Sequence, residues 1–168
     1  NHMEGHALAA RFEDPSISFP FLTLLVSGGH SQILVAHGVG RYMLLGETLD
    51  TALGEAFDKV SRFLKICDLN GGKALEMRAL QGNPLAYAFP RSLIKHKNCD
   101  MSFSGLQTAV ENKVAALTSS LTDTPSDEIT NIKNRRTSEP IGNVDALTSE
   151  QVSDLAASFQ HTAIEHVL

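Results

Sequence analysis

The sequence has no tryptophan and only two cysteines, Cys67 and Cys99, in its 168 residues. Two cysteines cannot build a disulfide framework, and their wide separation matches no zinc-binding pattern. Reduced thiols in an intracellular compartment are therefore predicted. Long apolar runs are also missing: no window approaches the ~18 to 20 apolar residues that a membrane span needs, so no membrane partner is expected. The first residues show neither a signal peptide nor an arginine-rich transit pattern, so any targeting segment would lie upstream.

The sequence also lacks an excess of positive charge, because its formal net charge is −5. Such a balance argues against nonspecific attraction to a polyanion, so a nucleic-acid partner would need a local basic patch or another subunit. Lys95, His96 and Lys97 form one small basic cluster, for which a solvated loop is the favoured interpretation. The hydrophobic fraction of 42% is typical of a globular protein with one core, or with portions of two lobes.

Hydrophobic periodicity predicts an α/β chain. An amphipathic helix is expected over residues 2–12, with Asp14-Pro15 ending it and an apolar stripe of Met3, Ala7, Leu8 and Phe12. From residue 19, three β-rich runs separated by Gly28-Gly29 and Gly38–Gly40 predict an antiparallel three-strand meander. The first run is apolar on both faces, which favours a central, buried strand.

The rest of the chain is predicted to be largely helical. Residues 48–64 carry a helical apolar stripe that includes Leu49, a second helix opens at Gly71-Gly72, and a third begins at Ser104-Gly105. Residues 85–100 have no regular pattern. Residues 118–147 are rich in polar residues and are expected to form a mobile loop or insertion. A closing helix over 148–168 begins with a Thr148/Gln151 capping box.

His2 and His6 are the first candidate metal ligands. Residues four apart on a helix lie on one face, close enough for two imidazoles to share a zinc or iron ion. The alternative is an ordinary polar helix surface. The zincin protease motif is absent, because Met3 follows the first histidine where that motif has glutamate. Two ligands are too few, so a third would have to come from elsewhere.

Two glycine pairs are candidate anion sites. At Gly28-Gly29, glycine would supply positive φ and let backbone amides approach an anion, with Ser27 adding a hydroxyl donor. An ordinary hairpin has the same composition. At Gly71-Gly72, amides at a helix N-terminus could meet a phosphate or a hydroxyl, although a simple helix-entry loop is the alternative.

Asp58 and Glu76 are the candidate acidic contacts. Asp58 precedes Lys59, which makes a solvated charge pair the default interpretation. Glu76 lies one turn after Gly72 on the helix that this glycine opens, where its carboxylate could reach a ligand held over the Gly72 amide, although an ordinary surface position is the commoner case. Ser104 is expected to act as an N-cap.

Five motifs that occur in a fixed order make a resemblance to one protein family specific. "HMEGHALA", "FPFLTLLVSGGHSQILV", "LLGETLDTALGEAFDKVSRFL", "NGGKALE" and "MSFSGLQT" together resemble the tRNA threonylcarbamoyladenosine transferase family, formerly described as O-sialoglycoprotein endopeptidases. The likeness covers most of residues 1–110 and returns in "SDLAASFQHTAIEHVL". It implies part of the two-lobed fold shared by actin, sugar kinases and Hsp70-type ATPases. Residues 1–18 would end a first-lobe helix and connection, residues 19–117 and 148–168 would belong to the second lobe, and 118–147 would be the polar loop.

The resemblance implies an acyltransferase. Its reaction would move the threonylcarbamoyl group from threonylcarbamoyl-AMP to the exocyclic amine of the adenosine beside the tRNA anticodon, assisted by one divalent metal ion, zinc or iron. The metal would lie on His2 and His6. The ligand would be bound by residues of the strand-turn and of the two following helices: Leu25, Val26, Ser27, Gly28, Gly29, Asp58, Gly72 and Glu76. No catalytic general base is assigned.

The resemblance also leaves parts open. The family's metal-binding aspartate would lie beyond Leu168, and the archaeal branch has a tyrosine where Leu25 stands. "GGKALE" and "KNCDMSFSGLQ" are similar to the mitochondrial form, which predicts a mitochondrial homodimer; a bacterial protein would be cytoplasmic and work with accessory proteins. The alternatives are an ATP-hydrolysing or sugar-phosphorylating enzyme of the same fold, and a non-catalytic fragment. Without a third metal ligand, residues 1–168 alone are expected to be inactive.

Overall fold

The computed structural model describes residues 2–67, 69–119 and 142–168. Its α-helices and β-strands follow in the order α1 (His2–Glu13), β1 (Phe21–Val26), β2 (Ser31–Gly38), β3 (Arg41–Glu47), α2 (Leu53–Phe63), α3 (Gly71–Ala79), α4 (Ser104–Ser119) and α5 (Ser149–Val167), with a short 3₁₀ turn at Val144–Ala146 before α5. The α/β prediction is confirmed. No helix in the described ranges combines the length and apolar character that crossing a bilayer requires.

The three strands form an antiparallel sheet in the order β1-β2-β3, as the meander prediction required. One face of this sheet carries α1. Ala7 is buried there against Leu34 and Ala36 of β2, with Phe21 and Leu25 of β1 packing around them. The sheet and α1 therefore form one small layer pair.

The opposite face of β1 differs from the prediction of a buried central strand. Within the described residues β1 is an edge strand, and Leu22, Leu24 and Val26 are 65%, 47% and 47% exposed. Side chains alternate between the two faces of a strand, and the face of β1 that carries α1 is the covered one. On the opposite face of the sheet, Ile33 of β2 packs against the main core, but the neighbouring side chains of β1 stay exposed, so the predicted burial of both faces of β1 is wrong for the described residues.

Helix α1 ends where Asp14-Pro15 predicted, but its apolar stripe is only partly used. Ala7 is the buried member, whereas Phe12 is 90% exposed. The helix contacts the strands through Ala7 and through Glu4, whose carboxylate oxygen accepts hydrogen bonds from the Tyr42 hydroxyl and the Gly40 amide.

The main core lies between helices α2 to α5. It is built from residues that each helix presents at three- and four-residue intervals, among them Ala56, Val60, Leu64, Leu75, Phe103, Leu106, Val110, Val114, Leu155 and Phe159. Its members are almost all aliphatic or aromatic, so burial of this shared surface is what holds the four helices together.

The start of α2 corrects the predicted range of 48–64. The helix begins at Leu53, and Leu49, a predicted stripe member, is 61% exposed. Thr48 instead extends the edge of the sheet, because its amide donates to the Ser31 carbonyl and it forms a parallel bridge with Met101, and residues 49–52 connect it to the helix. Long-range backbone pairing thus overrides the local helical pattern.

The remaining helical predictions are largely confirmed. The helix predicted from Ser104-Gly105 starts at Ser104, and residues 85–100 contain no helix or strand. Thr148 and Gln151 form the expected reciprocal capping box. Of the predicted mobile loop 118–147, residues 118–119 end α4 and 142–147 include the 3₁₀ turn. Residues 120–141 lie outside the described residues.

Candidate ligand site at the double-glycine turn

The turn between β1 and β2 is closed by its own serine. The Ser27 amide donates to the His30 carbonyl at 2.8 Å, and the Ser27 hydroxyl oxygen accepts from the amides of Gly29 and His30 at 3.2 and 2.9 Å. The hydroxyl was predicted to be a donor for a bound anion. Instead it satisfies two amides inside the turn, which is the ordinary role of a serine in such turns.

The two glycines are not required by the turn itself. Positive φ values among the described glycines occur at Gly40 and Gly142, not at Gly28 or Gly29, so the prediction that this pair supplies positive φ is wrong. A Cβ at either glycine of the pair would meet no atom within 4 Å. Neither strain nor crowding therefore explains glycine here. What glycine does is leave the backbone uncovered, with the Gly28 amide finding no acceptor among the described residues.

Gly54 at the start of α2 holds this turn in place. Its amide donates to the Ser27 carbonyl at 3.2 Å, and the neighbouring Leu53 amide donates to the buried Ser31 hydroxyl at 2.8 Å. A Cβ on Gly54 would lie 2.7 Å from the Ser27 carbonyl oxygen and 2.8 Å from the Gly28 nitrogen. Only glycine permits this approach. The sequence analysis missed this residue, although an isolated glycine inside a helical pattern is a recognised sign of close packing.

Asp58 continues the same face of α2, since it follows Gly54 by four residues. One of its carboxylate oxygens accepts a hydrogen bond from the Gly72 amide at 2.9 Å, and a Cβ on Gly71 would lie 2.9 Å from the same oxygen. The expected solvated pair with Lys59 is wrong: Lys59 pairs with Glu55 at 2.8 Å. Asp58 instead satisfies a free amide at the N-terminus of α3.

These contacts join three elements into one surface. The double-glycine turn lies against Gly54, Asp58 lies one helical turn further along α2, and Gly72 lies against Asp58. Glu76 is exposed on α3, one turn after Gly72, as predicted. Of the strand residues predicted to bind ligand, Val26 is exposed, whereas Leu25 is half-buried on the face that carries α1.

His2 and His6 converge on α1 as their spacing predicted. Their Nε2 atoms are 3.1 Å apart, and the two exposed rings meet edge to face with centroids 4.5 Å apart. Two imidazole nitrogens on one tetrahedral zinc ion, each about 2.0–2.1 Å from the metal, would be about 3.4 Å apart. The observed separation is close to that value, and it is also the distance of a hydrogen bond between the two rings. No group of three or more His, Cys, Asp or Glu residues arranged for a metal occurs within 2–67, 69–119 and 142–168.

The structure does not bring the histidine pair to the double-glycine turn by direct contact. Glu4, in the same helical turn as the pair, reaches Gly40 at the opposite end of β2 from that turn, and the hydrogen bonds from Tyr42 and Gly40 lower the pKa of its carboxyl group. No hydrogen bond, ion pair or ring contact among the described residues joins the histidines to residues 27–30. That the two groups share one site stays a prediction.

A second residue that the sequence analysis missed is Asp50, in the connection between β3 and α2. Its carboxylate accepts hydrogen bonds from the hydroxyls of Ser102 and Ser104 and from the amides of Thr51 and Phe103. Desolvation raises the pKa of Asp50, but the four donors outweigh it and bring the pKa to about 2. Ser104 is thus the first residue of α4 and a donor to Asp50, not the predicted N-cap.

Comparison with known proteins matches all of residues 1–168 to the family model described as tRNA N6-adenosine threonylcarbamoyltransferase. Relatives that carry this name include proteins of Orientia tsutsugamushi strain Boryong, 40% identical over 168 residues, and Rickettsia massiliae, 48% identical over 162 residues. A third, from Rickettsia typhi, is 51% identical over 117 residues, 70% of this chain and 30% of that protein.

The first two of these matches cover nearly all of this chain but less than half of each relative. The match to the Orientia protein takes in 100% of this chain but 40% of the relative, and the match to the Rickettsia massiliae protein takes in 96% and 39%. The chain therefore spans about two-fifths of the length of these relatives. The α/β architecture agrees with the actin/Hsp70-like fold of the matched family. The chain belongs to the tRNA N6-adenosine threonylcarbamoyltransferase family.

Proposed function

We propose that this chain is the adenylate-binding part of an enzyme that transfers the threonylcarbamoyl group from threonylcarbamoyl-AMP to the exocyclic amine of the adenosine beside the tRNA anticodon. Family membership supports the reaction class. The observation that carries the assignment to these residues is the continuous surface from the double-glycine turn through Gly54 and Asp58 to Gly72.

The phosphate of the donor would lie over Gly28 and Gly29. The absence of side chains leaves the backbone open, and the Gly28 amide points to no acceptor among the described residues, so it is free to donate to an anion. Hydrogen bonds from amides to a phosphate oxygen are charge-assisted and correspondingly strong. The leaving group of the transfer would thus be held by main-chain atoms whose position depends on Gly54.

The nucleoside would lie against α2 and α3. One carboxylate oxygen of Asp58 is occupied by the Gly72 amide, and the other remains able to accept a hydrogen bond from a ribose hydroxyl. Glu76, exposed one turn further along α3, offers a second carboxylate. Because both acids lie on helices that are packed together and joined by the Asp58–Gly72 hydrogen bond, their positions are fixed before the adenylate binds, and they would orient it.

One divalent ion, zinc or iron, would be held by neutral imidazole nitrogens of His2 and His6, with a further ligand from outside the described residues. When bound, such an ion supplies Lewis-acid stabilisation of negative charge on the activated acyl group or the phosphate. The adenine amine is a weak nucleophile, so the contribution of this chain is chiefly to fix the donor while the amine attacks its carbonyl carbon.

The test compares AMP binding by metal-free full-length protein with and without Gly28→Ala. A methyl group there disturbs no packing, so the variant should fold normally, but it should cover the proposed phosphate position and weaken AMP binding measured by calorimetry. Gly5→Ala is the matched control, since a Cβ at Gly5 also meets no atom within 4 Å.

Transfer itself is measured as threonylcarbamoylated adenosine in tRNA incubated with threonylcarbamoyl-AMP. The proposal predicts modified tRNA from the wild type and the Gly5→Ala control, with loss in Gly28→Ala. Hydrolysis of ATP with no modified tRNA would support the sugar-kinase-like alternative and refute the transferase. Unchanged AMP affinity in Gly28→Ala would refute the placement of the phosphate.

We further propose a mitochondrial location and a homodimeric assembly. The segments "GGKALE" and "KNCDMSFSGLQ", which resemble the mitochondrial branch, support this. The relatives named above are bacterial proteins, for which a cytoplasmic location and a complex with accessory proteins would be the counterpart. Fractionation of the source cells and the mass of the purified full-length protein in solution distinguish the two proposals.

A further inference from the structure

We propose that residues 91–97, here called the basic loop, contact the phosphate backbone of the tRNA substrate. The inference rests on the proposed function and adds to it the surface by which the nucleic acid is held. Its cationic side chains are those of Arg91, Lys95 and Lys97, with His96 between the two lysines.

Charge along the chain is distributed unevenly around this loop. From Met77 to Cys99 the sequence contains four Lys and Arg residues and no Asp or Glu, although the whole chain has a net charge of −5. All 19 acidic residues therefore lie outside this stretch. The stretch thus carries a local excess of positive charge in an acidic protein, and such an excess favours contact with a polyanion.

The two lysines are available to a partner. Lys95 and Lys97 are exposed, and neither forms an ion pair within the described residues. The acids nearest to the loop contact other groups: Glu165 pairs with Arg91 at 3.9 Å and lies 3.6 Å from His161, and Asp100 accepts from the Glu47 amide and the Asn98 side chain. Both lysine ammonium groups are therefore open to a phosphate.

The basic loop has a defined backbone conformation. Ser92 and Leu93 turn the chain, with Leu93 at φ 53° and the His96 amide donating to the Leu93 carbonyl at 2.7 Å. Beneath the loop is a cavity of about 480 Å³, which its residues share with the C-terminal end of α5. Positioned charges lose less entropy on binding than charges on a free segment.

The sheet places the loop at the same end of the molecule as the double-glycine turn. Val26 pairs with Ser31, the Thr48 amide donates to the Ser31 carbonyl, and Thr48 bridges to Met101. Three strand spacings of about 4.8 Å put Met101 about 14 Å from Val26.

Lys97 precedes Met101 by four residues, which adds at most about 14 Å. Gly28 follows Val26 by two residues, which adds at most about 7 Å, so Lys97 lies within about 35 Å of the proposed phosphate position. A nucleic-acid duplex carries roughly one charge per 1.7 Å of axis, so the stem next to an anticodon loop whose target adenosine lay at the turn would present several phosphates within this distance. The geometry thus lets one tRNA meet both surfaces.

The experiment measures binding of tRNA that carries the target adenosine to the full-length protein over a series of KCl concentrations. The test variant is the double substitution Lys95→Ala/Lys97→Ala. The control is Lys59→Ala/Lys65→Ala, which makes the same change in net charge at exposed lysines on and beside α2.

Each phosphate contact contributes about 0.7–0.9 to the slope of log K against log salt, which amounts to about fivefold to eightfold in affinity at about 0.1 M salt. The loop variant should therefore bind tRNA at least about tenfold more weakly, with a salt slope lower by about 1.5. Its KM for tRNA should rise, while kcat and AMP affinity stay at the wild-type values. The control should match the wild type in all five quantities.

The outcomes separate this inference from the proposed function. If the wild type modifies tRNA and the loop variant binds tRNA like the control, the basic loop is refuted and the transferase stands. If the wild type binds tRNA, the loop variant loses binding, and no modified adenosine forms in either, the transferase is refuted and the loop assignment stands. A loss of binding equal in both double variants would also refute the loop, because it would reflect net charge alone.

Discussion

At the scale of single residues, Asp50 shows how one carboxylate organises several segments. Its hydrogen bonds to Ser102, Ser104 and two backbone amides tie the connection that precedes α2 to the start of α4. Gly54 lies in the first turn of α2 and supports the double-glycine turn. By fixing the connection that leads into α2, Asp50 therefore also helps to position Gly54.

We expect Asp50→Asn to lower the free energy of unfolding and to flatten its dependence on acid pH. The carboxyl pKa is about 2 in the folded protein against about 3.9 when unfolded, so the unfolded state binds the proton first. The stabilisation is complete above about pH 4 and is lost as the pH falls toward 2. Because the group is partly exposed, screening reduces the effect to about 1 kcal/mol.

Urea denaturation of full-length protein at pH 7 and at pH 3 checks this expectation. The difference between wild type and Asp50→Asn should narrow at the lower pH. Asp145→Asn, at the exposed ion pair with Lys65, is the control and should change little at either pH. An equal difference at both pH values would contradict the assignment of the low pKa to Asp50.

Gly54→Ala should displace the double-glycine turn. The new methyl group would overlap the Ser27 carbonyl and the Gly28 amide, and backbone atoms cannot swing aside as a flexible side chain can. We expect a loss of about 1–3 kcal/mol in the free energy of unfolding and weaker AMP binding. Gly5→Ala, with open space around it, should cause neither; unchanged AMP binding in a folded Gly54→Ala protein would show that the turn is not part of the site.

At the scale of elements, α1 illustrates how helical spacing alone creates a candidate metal site. The four-residue interval brings the Nε2 atoms of His2 and His6 to 3.1 Å, with no long-range contact needed. This is why the pair could be predicted from the sequence. Their relation to the ligand surface could not be, since it depends on where Glu4 docks the helix on the sheet.

His2→Ala and His6→Ala should each lower the metal content of full-length protein after dialysis, measured by elemental analysis. Losing one of few ligands typically weakens a site severely, because the remaining imidazole cannot hold the ion alone. His37→Ala, at an exposed histidine of β2, is the control and should retain its metal. Wild-type metal content in both single variants would reject the site.

Helices α2 and α3 show a different relation between sequence and structure. The apolar periodicity predicted both helices. The Asp58–Gly72 hydrogen bond that joins them was not predicted, because a local ion pair of Asp58 with Lys59 was the simpler interpretation of the sequence. Local charge patterns favour neighbours in the sequence. The carboxylate instead takes the partner whose amide would otherwise stay unsatisfied, and that choice exists only once the two helices pack.

At the scale of the whole molecule, the described residues leave part of one sheet face uncovered, although Ile33 of β2 on that face packs against the main core. Leu22, Leu24, Val26 and Met43 present apolar surface there, each at least 47% exposed. Exposed contiguous apolar surface favours association or an additional covering segment.

We therefore expect the 168-residue chain alone to make no modified tRNA when supplied with threonylcarbamoyl-AMP. It spans about two-fifths of its relatives, and its described residues do not assemble three metal ligands. The full-length protein is the control in the same assay. Threonylcarbamoylated adenosine produced by the chain alone would overturn the expectation and would mean that the adenylate surface suffices.

The sequence by itself determined the local features of this protein. The two-residue and helical periods, the glycine turns, the capping box and the histidine spacing depend on neighbours within a few residues. These elements are found where they were predicted, except that α2 begins at Leu53 and that Gly28 and Gly29 do not have positive φ. Tertiary structure alone decided which groups meet across the chain: Asp50 with Ser102 and Ser104, Gly54 with the turn, and Asp58 with Gly72. The physical reason is that a carboxylate or a glycine can serve many local purposes, and only packing of distant segments selects the amide, hydroxyl or carbonyl that it finally meets.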